Sequence, residues 1–156
     1  MTVIVWNGEV LAADKMATDS GQKRAVTKIH RTTDGSLVAF TGDWDNAQTM
    51  LVWANNGFDP DKFPEFQKSN DLWVGVLRIT PDGRCLKYSR SPHPMDYTEE
   101  VKRTGVYAMG SGRDYAYGAF GAGIKLSELA VDIASRYCEG CGLGFDWAKL
   151  DGTGTI

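Results

Sequence analysis

Apolar and polar residues alternate along much of the first half of the chain, which is the pattern of half-buried β-strands. Short segments rich in glycine, asparagine, aspartate or proline interrupt the alternation, and such segments are typical of hairpin turns. Three hairpins are predicted: 3–6 with 10–13 around Asn7-Gly8, 26–31 with 36–41 around Asp34-Gly35, and 72–79 with 84–88 around Pro81-Asp82-Gly83. The Asn-Gly dipeptide predicts a type I′ turn in the first hairpin, and the polar stretch 17–24 is interpreted as a connection.

A helical period replaces the alternation at three places. Apolar residues at i, i+3, i+4 and i+7 predict a helix over 47–54, with Asp43, Asp45 or Asn46 as its cap and Asn55-Asn56-Gly57 as its end. Two more helices are predicted at 113–122 and 126–136, short strands at 106–109 and 143–147, and an irregular connection or short helix at 58–70. A loop is predicted around Pro92 and Pro94. Helices grouped between runs of antiparallel strands predict an α+β layered sandwich.

Composition favours a globular protein of one domain. The chain has 156 residues, of which 42% are hydrophobic and 24% are charged, so we expect residues 1–156 to form a single domain with its own core. The formal net charge is −3, and no basic field attracts phosphates. A nucleic-acid partner is therefore not expected.

The N-terminal segment, the lengths of the apolar runs and the number of cysteines indicate the cellular compartment. The N-terminus has no basic segment and reaches a turn before a secretory apolar region could form. No apolar run approaches the roughly 18 residues of a membrane helix. Three cysteines, an odd number, fit a reducing compartment better than a disulfide framework. We expect a soluble, cytoplasmic protein without a membrane partner.

Thr2 is the first residue with catalytic potential. It directly follows Met1, and threonine is small enough for a methionine aminopeptidase to expose it. A free N-terminal threonine carries a hydroxyl nucleophile and an α-amine that titrates near neutral pH and can take the hydroxyl proton. Where Met1 is retained, the Thr2 nitrogen is part of an amide bond and cannot act as the base.

The run TVIVWNGEVLAAD from Thr2 to Asp14, followed by VTKI at 26–29, resembles the proteasome-like N-terminal nucleophile hydrolases, particularly bacterial and phage relatives of the HslV peptidase. In that family the catalytic threonine begins the first strand, an aspartate ends the second and a lysine lies on the third. The resemblance thus implies that Thr2 is the nucleophile and that Asp14 and Lys28 support it. A cation beside the α-amine favours its neutral form. Without the resemblance, Asp14 and Lys28 would be interpreted as a structural ion pair.

Two glycine-containing segments extend the resemblance, which is strongest over 2–42 and 105–137. Gly42 follows Phe40-Thr41 before a helix, and it matches the family's glycine whose N–H binds the oxyanion; a glycine required by a tight turn is the alternative. Gly110-Ser111-Gly112 matches the segment whose serine assists proton transfer. Ser111 could also cap the following helix. Trp44 lies where the family has substrate-pocket residues, so it is the specificity candidate.

The C-terminal third departs from the family pattern. Family members have an aspartate after the last helix and a hydroxyl residue three positions later, where this chain has Cys138 and Cys141. A thiol does not replace the carboxylate's charge at neutral pH unless its pKa is strongly depressed. Catalysis is then weakened, or Glu139 substitutes after a shift of one position.

The Cys138-x-x-Cys141 pair has other interpretations. Zinc would need further ligands, and the available donors, His30, His93 and Cys85, lack zinc-finger spacing. A thioredoxin-type motif opens a helix, whereas this pair closes one. Two ordinary reduced cysteines are therefore the expected state.

The resemblance implies a four-layer αββα sandwich and a self-compartmentalising threonine peptidase that needs no cofactor or metal. It also implies a homo-oligomeric ring, a peptide or protein substrate and, for some members, an ATP-driven unfoldase partner. The alternative is a catalytically silent structural or assembly protein, which Cys138 and a retained Met1 favour. A small-molecule amidase on the same fold is a third hypothesis.

Overall fold

Two antiparallel sheets lie face to face, and helices cover the outer face of each. The computed structural model describes residues 1–69 and 71–156. The strands are β1 (Ile4–Trp6), β2 (Leu11–Asp14), β3 (Met16–Asp19), β4 (Gln22–Ala25), β5 (Ile29–Arg31), β6 (Leu37–Gly42), β7 (Val74–Ile79), β8 (Cys85–Tyr88), β9 (Met95–Asp96), β10 (Tyr107–Met109) and β11 (Phe145–Ala148). The helices are α1 (Trp44–Asn55), α2 (Phe66–Ser69), α3 (Thr98–Thr104), α4 (Arg113–Gly121) and α5 (Ser127–Tyr137), with a 3₁₀ turn at Pro60–Lys62.

The strand order fixes the two central layers. One sheet has the order β10-β1-β2-β11, the other has the order β5-β6-β7-β8-β9, and β3 and β4 form a separate ribbon. No helix within the described residues combines the length and apolarity that crossing a bilayer requires.

Successive side chains of the central strands belong to two different cores, because they point to opposite faces of the sheet. In β1, Ile4 and Trp6 pack between the two sheets, whereas Val5 packs with the alanines of α4 and α5. In β6, Leu37 belongs to the core between the sheets and Val38 packs against α1. The layers therefore run helix, sheet, sheet, helix, and the predicted α+β αββα sandwich is confirmed.

The second and third predicted hairpins are confirmed, and the turn type of the first was wrong. The register of the first hairpin pairs Trp6 with Leu11, so its loop spans 7–10. A type I′ turn needs a positive φ at both central residues. Gly8 has a positive φ, but Asn7 does not. Instead, the Asn7 side chain accepts hydrogen bonds from the N–H groups of Glu9 and Val10.

The polar stretch 17–24 is a hairpin that the sequence analysis missed. Its strands β3 and β4 meet at Ser20 and Gly21, whose φ values of 49° and 81° are those of a primed turn. Every residue of β4 is exposed. Because neither face of this strand is buried, it shows no apolar alternation.

Helix α1 is confirmed with its predicted cap. The Asp43 side chain accepts a hydrogen bond from the N–H of Asn46 at 2.8 Å, and Asn56 ends the helix before Gly57. Helices α4 and α5 are confirmed within two residues of their predicted bounds. The predicted loop around Pro92 and Pro94 is confirmed, but the strand β9 and the helix α3 that follow it were not predicted. Val101 is the buried residue of α3, so this helix has no apolar period.

The Gln67 side chain connects the short helix α2 to the beginning of β7 by hydrogen bonds. The side chain is fully buried; its amide donates to the carbonyl oxygens of Val74 and Ser89 at 2.7 and 3.0 Å, and its oxygen accepts from the N–H of Val74 at 2.6 Å. Val74 in turn pairs with Gly42 at the end of β6. This buried amide therefore fixes the strand that lies beside Gly42.

Replacing Gln67 with leucine is expected to lower the free energy of unfolding by about 1–3 kcal/mol, because the buried N–H and carbonyl of Val74 lose their partners. Urea denaturation monitored by tryptophan fluorescence measures the change. Lys68→Ala, which removes an exposed ion pair with Glu65, is the matched control and should stay close to the parent protein. Equal midpoints for the two variants would contradict this role of Gln67.

Candidate active site

Thr2 lies two residues before β1 and is held by the loop that precedes α4. Its N–H donates to Ser111 Oγ at 3.1 Å, and its carbonyl oxygen accepts from the N–H of Gly112 at 3.1 Å. Gly110 has a φ of 92°, and a Cβ built there would stand 2.8 Å from the carbonyl carbon of Thr2. The close approach of this loop therefore requires glycine at position 110.

Asp14, at the end of β2, is the polar centre of the site and is almost completely buried. Its Oδ1 accepts from the N–H of Val3 at 2.9 Å. Its Oδ2 accepts from the N–H groups of Met16 and Gly142, at 3.2 and 3.1 Å. The Thr2 hydroxyl also lies 3.2 Å from Oδ1. Three backbone N–H groups thus stabilise the charged carboxylate.

Lys28 approaches the same carboxylate from the segment before β5. Its Nζ lies 2.9 Å from Asp14 Oδ1, and this ion pair is buried on both sides. The Nζ also donates to Thr2 Oγ1 and, at 3.3 Å, to the carbonyl oxygen of Met1. Burial lowers the pKa of Lys28 below its ordinary value, and the charge of Asp14 opposes part of that shift. The ammonium group thus lies directly against the threonine hydroxyl.

An open cleft of about 220 Å³ lies above Thr2 and Lys28, and Gly42 and Trp44 also line it. Gly42 has a φ of 113°, and a Cβ there would stand 2.7 Å from the carbonyl oxygen of Trp73. The end of β6 therefore needs glycine for its close approach to β7, whatever else its N–H does. Trp44 begins α1, and the cleft reaches this residue.

The β3–β4 ribbon supplies a wall of the cleft that the sequence analysis did not foresee. Met16, Asp19 and Arg24 line the cleft from this side. The Ser20-Gly21 dipeptide was the available signal, because Ser-Gly is a turn dipeptide. Asp19 and Arg24 give this wall charged groups of both signs. Two further carboxylates, Asp43 and Asp45, line the cleft from the start of α1.

Cys138 and Cys141 meet at the end of α5, next to Ser111. Ser111 Oγ lies 3.7 Å from Cys138 Sγ and 3.9 Å from Cys141 Sγ. Glu139 is exposed, and no hydrogen bond of the described chain joins it to Ser111. The thiol of Cys138, rather than the Glu139 carboxylate, therefore lies next to Ser111.

The remaining candidate ligands do not assemble into a metal site. Among residues 1–69 and 71–156, no group of three or more His, Cys, Asp or Glu side chains could hold a metal ion. Cys85 is fully buried in the core between the sheets, and burial raises its pKa to about 12. This third cysteine is a core residue.

The structure brings together the residues that the resemblance singles out. Thr2, Asp14 and Lys28 share hydrogen bonds, and Ser111 contacts the nitrogen of Thr2. Gly42 and Trp44 lie on the same cleft as Thr2. The N–H groups of Met16 and Gly142 were missed, because backbone donors have no residue signature. The roles of all these groups stay predictions.

Comparison with known proteins identifies relatives by structure alone. No protein-family model and no curated protein matches the chain. HslV from Trypanosoma brucei superposes with a TM-score of 0.68 and 18% sequence identity, over 94% of this chain and 97% of that one. Thiobacillus denitrificans BPH gives a TM-score of 0.61 at 20% identity, over 96% of this chain and 97% of that one. The BPH complex with epoxomicin gives 0.62 at 20% identity, over 96% and 98% of the two chains. The chain therefore has the fold of HslV and the proteasome-like N-terminal nucleophile hydrolases, as the resemblance predicted.

Proposed function

We propose that the protein is a threonine-type peptidase in which Thr2 becomes the nucleophile after Met1 is removed. The observation that carries this proposal is the buried cluster of the Thr2 hydroxyl, the Lys28 ammonium and the Asp14 carboxylate at the floor of an open cleft. Burying an ion pair costs desolvation free energy, and an apolar pair of similar volume is often as stable or more stable. A catalytic role explains why the charges lie beside a hydroxyl that faces the cleft.

The proposed reaction begins with cleavage of the Met1–Thr2 amide bond, which converts the Thr2 nitrogen from an amide into an amine. The amine takes the proton of its own hydroxyl, and Oγ1 attacks the carbonyl carbon of the substrate. Lys28, whose charge Asp14 maintains, favours the neutral amine by electrostatic repulsion of a second cation. Ser111 Oγ, which lies 3.1 Å from the Thr2 nitrogen, is proposed to relay the proton.

The later steps follow from the same groups. The N–H of Gly42 is proposed to stabilise the negative oxygen of the tetrahedral intermediate. The protonated Thr2 amine gives its proton to the leaving amine as the peptide C–N bond breaks. The resulting ester between Oγ1 and the acyl group is then hydrolysed by water, which restores the threonine. No metal or cofactor takes part in this scheme.

The cleft supports a peptide or protein as the substrate, with Trp44 as the specificity residue. Its opening above Thr2 lets an extended chain reach the hydroxyl, and Trp44 offers a large apolar and aromatic contact. Asp43 and Asp45 lie beside it on the cleft wall. The substrate side chain next to the cleaved bond is proposed to contact this wall.

Assembly into a homo-oligomeric ring, served by an ATP-driven unfoldase, is also proposed. The outer helical layer supports self-association, because it exposes large apolar side chains. Tyr115 of α4 stacks on Tyr137 of α5 with ring centroids 6.1 Å apart, and both are solvent-exposed. Leu126 and Leu129 are exposed on the same layer. The unfoldase partner and a cytoplasmic location rest on the family resemblance.

A catalytically silent assembly protein is the second candidate, and one observation favours it. Thiols rather than a carboxylate and a hydroxyl surround Ser111 at the end of α5. A cysteine supplies a fixed negative charge only when its pKa is depressed. The two candidates differ in whether Thr2 reacts, which the following variants decide.

Thr2→Ala is expected to abolish peptide hydrolysis, because no other group can form the acyl ester. Thr2→Ser keeps the hydroxyl and the amine, so it should retain measurable hydrolysis of fluorogenic peptides. Both variants should unfold at nearly the same urea concentration as the parent protein. Hydrolysis that survives in Thr2→Ala would refute the nucleophile assignment.

Lys28→Met is expected to lower kcat by about 100-fold or more, because the Thr2 amine then loses the neighbouring cation. It also leaves Asp14 as an unpaired buried charge, which costs about 3–5 kcal/mol of stability. The double variant Lys28→Met with Asp14→Asn removes that charge and should remain inactive, which separates the loss of the lysine from the effect of an unpaired carboxylate. Lys15→Met, which breaks a longer contact of 3.7 Å between a partly exposed lysine and the buried Asp146, is the control outside the cluster. Recovery of hydrolysis in the double variant would contradict a catalytic role for Lys28.

A further inference from the structure

Cys138 and Cys141 form a dithiol whose sulfur atoms are in direct contact. The Sγ atoms lie 3.2 Å apart, and the turn between them is closed by the N–H of Cys141, which donates to the carbonyl oxygen of Cys138 at 3.0 Å. A disulfide bond is about 2.05 Å long. The sulfurs must therefore approach by about 1.2 Å for the bond to form.

We propose that Cys138 and Cys141 are a reversible redox modification site, which closes to a disulfide by exchange with a low-molecular-weight disulfide such as oxidised glutathione. This site is separate from the proposed hydrolytic chemistry and uses two groups that the mechanism leaves idle. It differs from a thioredoxin-type motif because it closes helix α5 rather than opening a helix.

The two thiols are suited to different steps. Cys138 is partly exposed, whereas Cys141 is 5% exposed, so an external disulfide can reach Cys138 first. Burial opposes ionisation of Cys138, but hydrogen bonds with Cys141 and Ser111 outweigh it and lower the pKa of Cys138. Burial raises the pKa of Cys141 to about 12. Cys138 is thus the attacking thiol and Cys141 the resolving thiol.

The exchange is balanced in two steps. The Cys138 thiolate attacks one sulfur of glutathione disulfide, forms a mixed disulfide and releases one glutathione thiolate, which takes up a proton. The Cys141 sulfur then gives up its proton and attacks Cys138 Sγ, which closes the protein disulfide and releases the second glutathione. Two electrons pass from the protein dithiol to the external disulfide, and an excess of reduced glutathione reverses both steps.

The disulfide would act on the threonine site through two contacts. Ser111 Oγ touches both sulfurs and the Thr2 nitrogen, and it loses the thiol hydrogen bonds when the disulfide closes. The N–H of Gly142, the residue after Cys141, donates to Asp14 at 3.1 Å. We therefore expect oxidation to disturb Ser111 and Asp14 together, and this effect on activity rests on the proposed function.

The chemical test uses the full-length reduced protein, equilibrated with mixtures of reduced and oxidised glutathione and then alkylated under denaturing conditions. Trypsin cleaves after Arg136 and Lys149, so both cysteines fall in one peptide, 137–149. In oxidising mixtures this peptide should be two hydrogens lighter and take no alkyl group, while Cys85 stays alkylated. A peptide that keeps two alkylated cysteines in every mixture would overturn the proposal.

Variants separate the two thiols and their effects. Cys141→Ser should stop at the mixed disulfide and retain one glutathionyl group on Cys138, whereas Cys85→Ala should oxidise like the parent. A parent protein that closes the disulfide while Cys141→Ser retains no glutathionyl group on Cys138 would contradict this assignment of the two thiols.

The effect of the disulfide on the threonine site can be measured without peptide hydrolysis. Amide resonances of Ser111, Gly112 and Gly142 should shift on oxidation, while those of α1 should not, and unchanged resonances would refute the coupling. If the protein is active, peptide hydrolysis should fall by about tenfold or more in the oxidised state and return with dithiothreitol. Absence of hydrolysis in the reduced state would count against the proposed function, while the mass and resonance results would still decide the redox site.

Discussion

The buried pair of Asp14 and Lys28 is the interaction on which the geometry of the site depends. A carboxylate and an ammonium group taken out of water cost several kcal/mol each, and only close contact and additional hydrogen bonds compensate this cost. Asp14 meets that requirement with three backbone N–H groups besides the lysine. Those donors come from the residue before β1, the start of β3 and the turn after α5. One carboxylate thus joins segments that are far apart in the chain.

This arrangement explains why the neighbouring backbone is so constrained. Thr2 is held between the Lys28 ammonium on one side and the loop of Gly110 to Gly112 on the other. Thr2 faces solvent through the cleft, which Gly42 at the end of β6 and Trp44 at the start of α1 also line. The αββα layers make this possible, since both sheets bring their strand ends to the same edge. The rigid sheets fix the polar groups, and the loops around them determine what can reach the hydroxyl.

How much the sequence could reveal depended on burial and on distance along the chain. Helix α1 was predictable because its apolar period and the Asp43 cap agree, whereas β4 is wholly exposed and carries no periodic signal. No local pattern could show that Ser111 meets Thr2, because the two lie 109 positions apart. The family resemblance supplied that grouping. The N–H donors of Met16 and Gly142 and the proximity of the two cysteine sulfurs became visible only in three dimensions.

The proposed function depends on the reactivity of Thr2, which intact-mass measurement detects. Protein produced without an N-terminal tag is weighed before and after incubation with a peptide epoxyketone, alongside Thr2→Ala. We expect a chain that has lost Met1 and gains one probe molecule at Thr2, while Thr2→Ala gains none. A chain that keeps Met1 and takes no probe, or a probe that adds equally to Thr2→Ala, would contradict the proposed function.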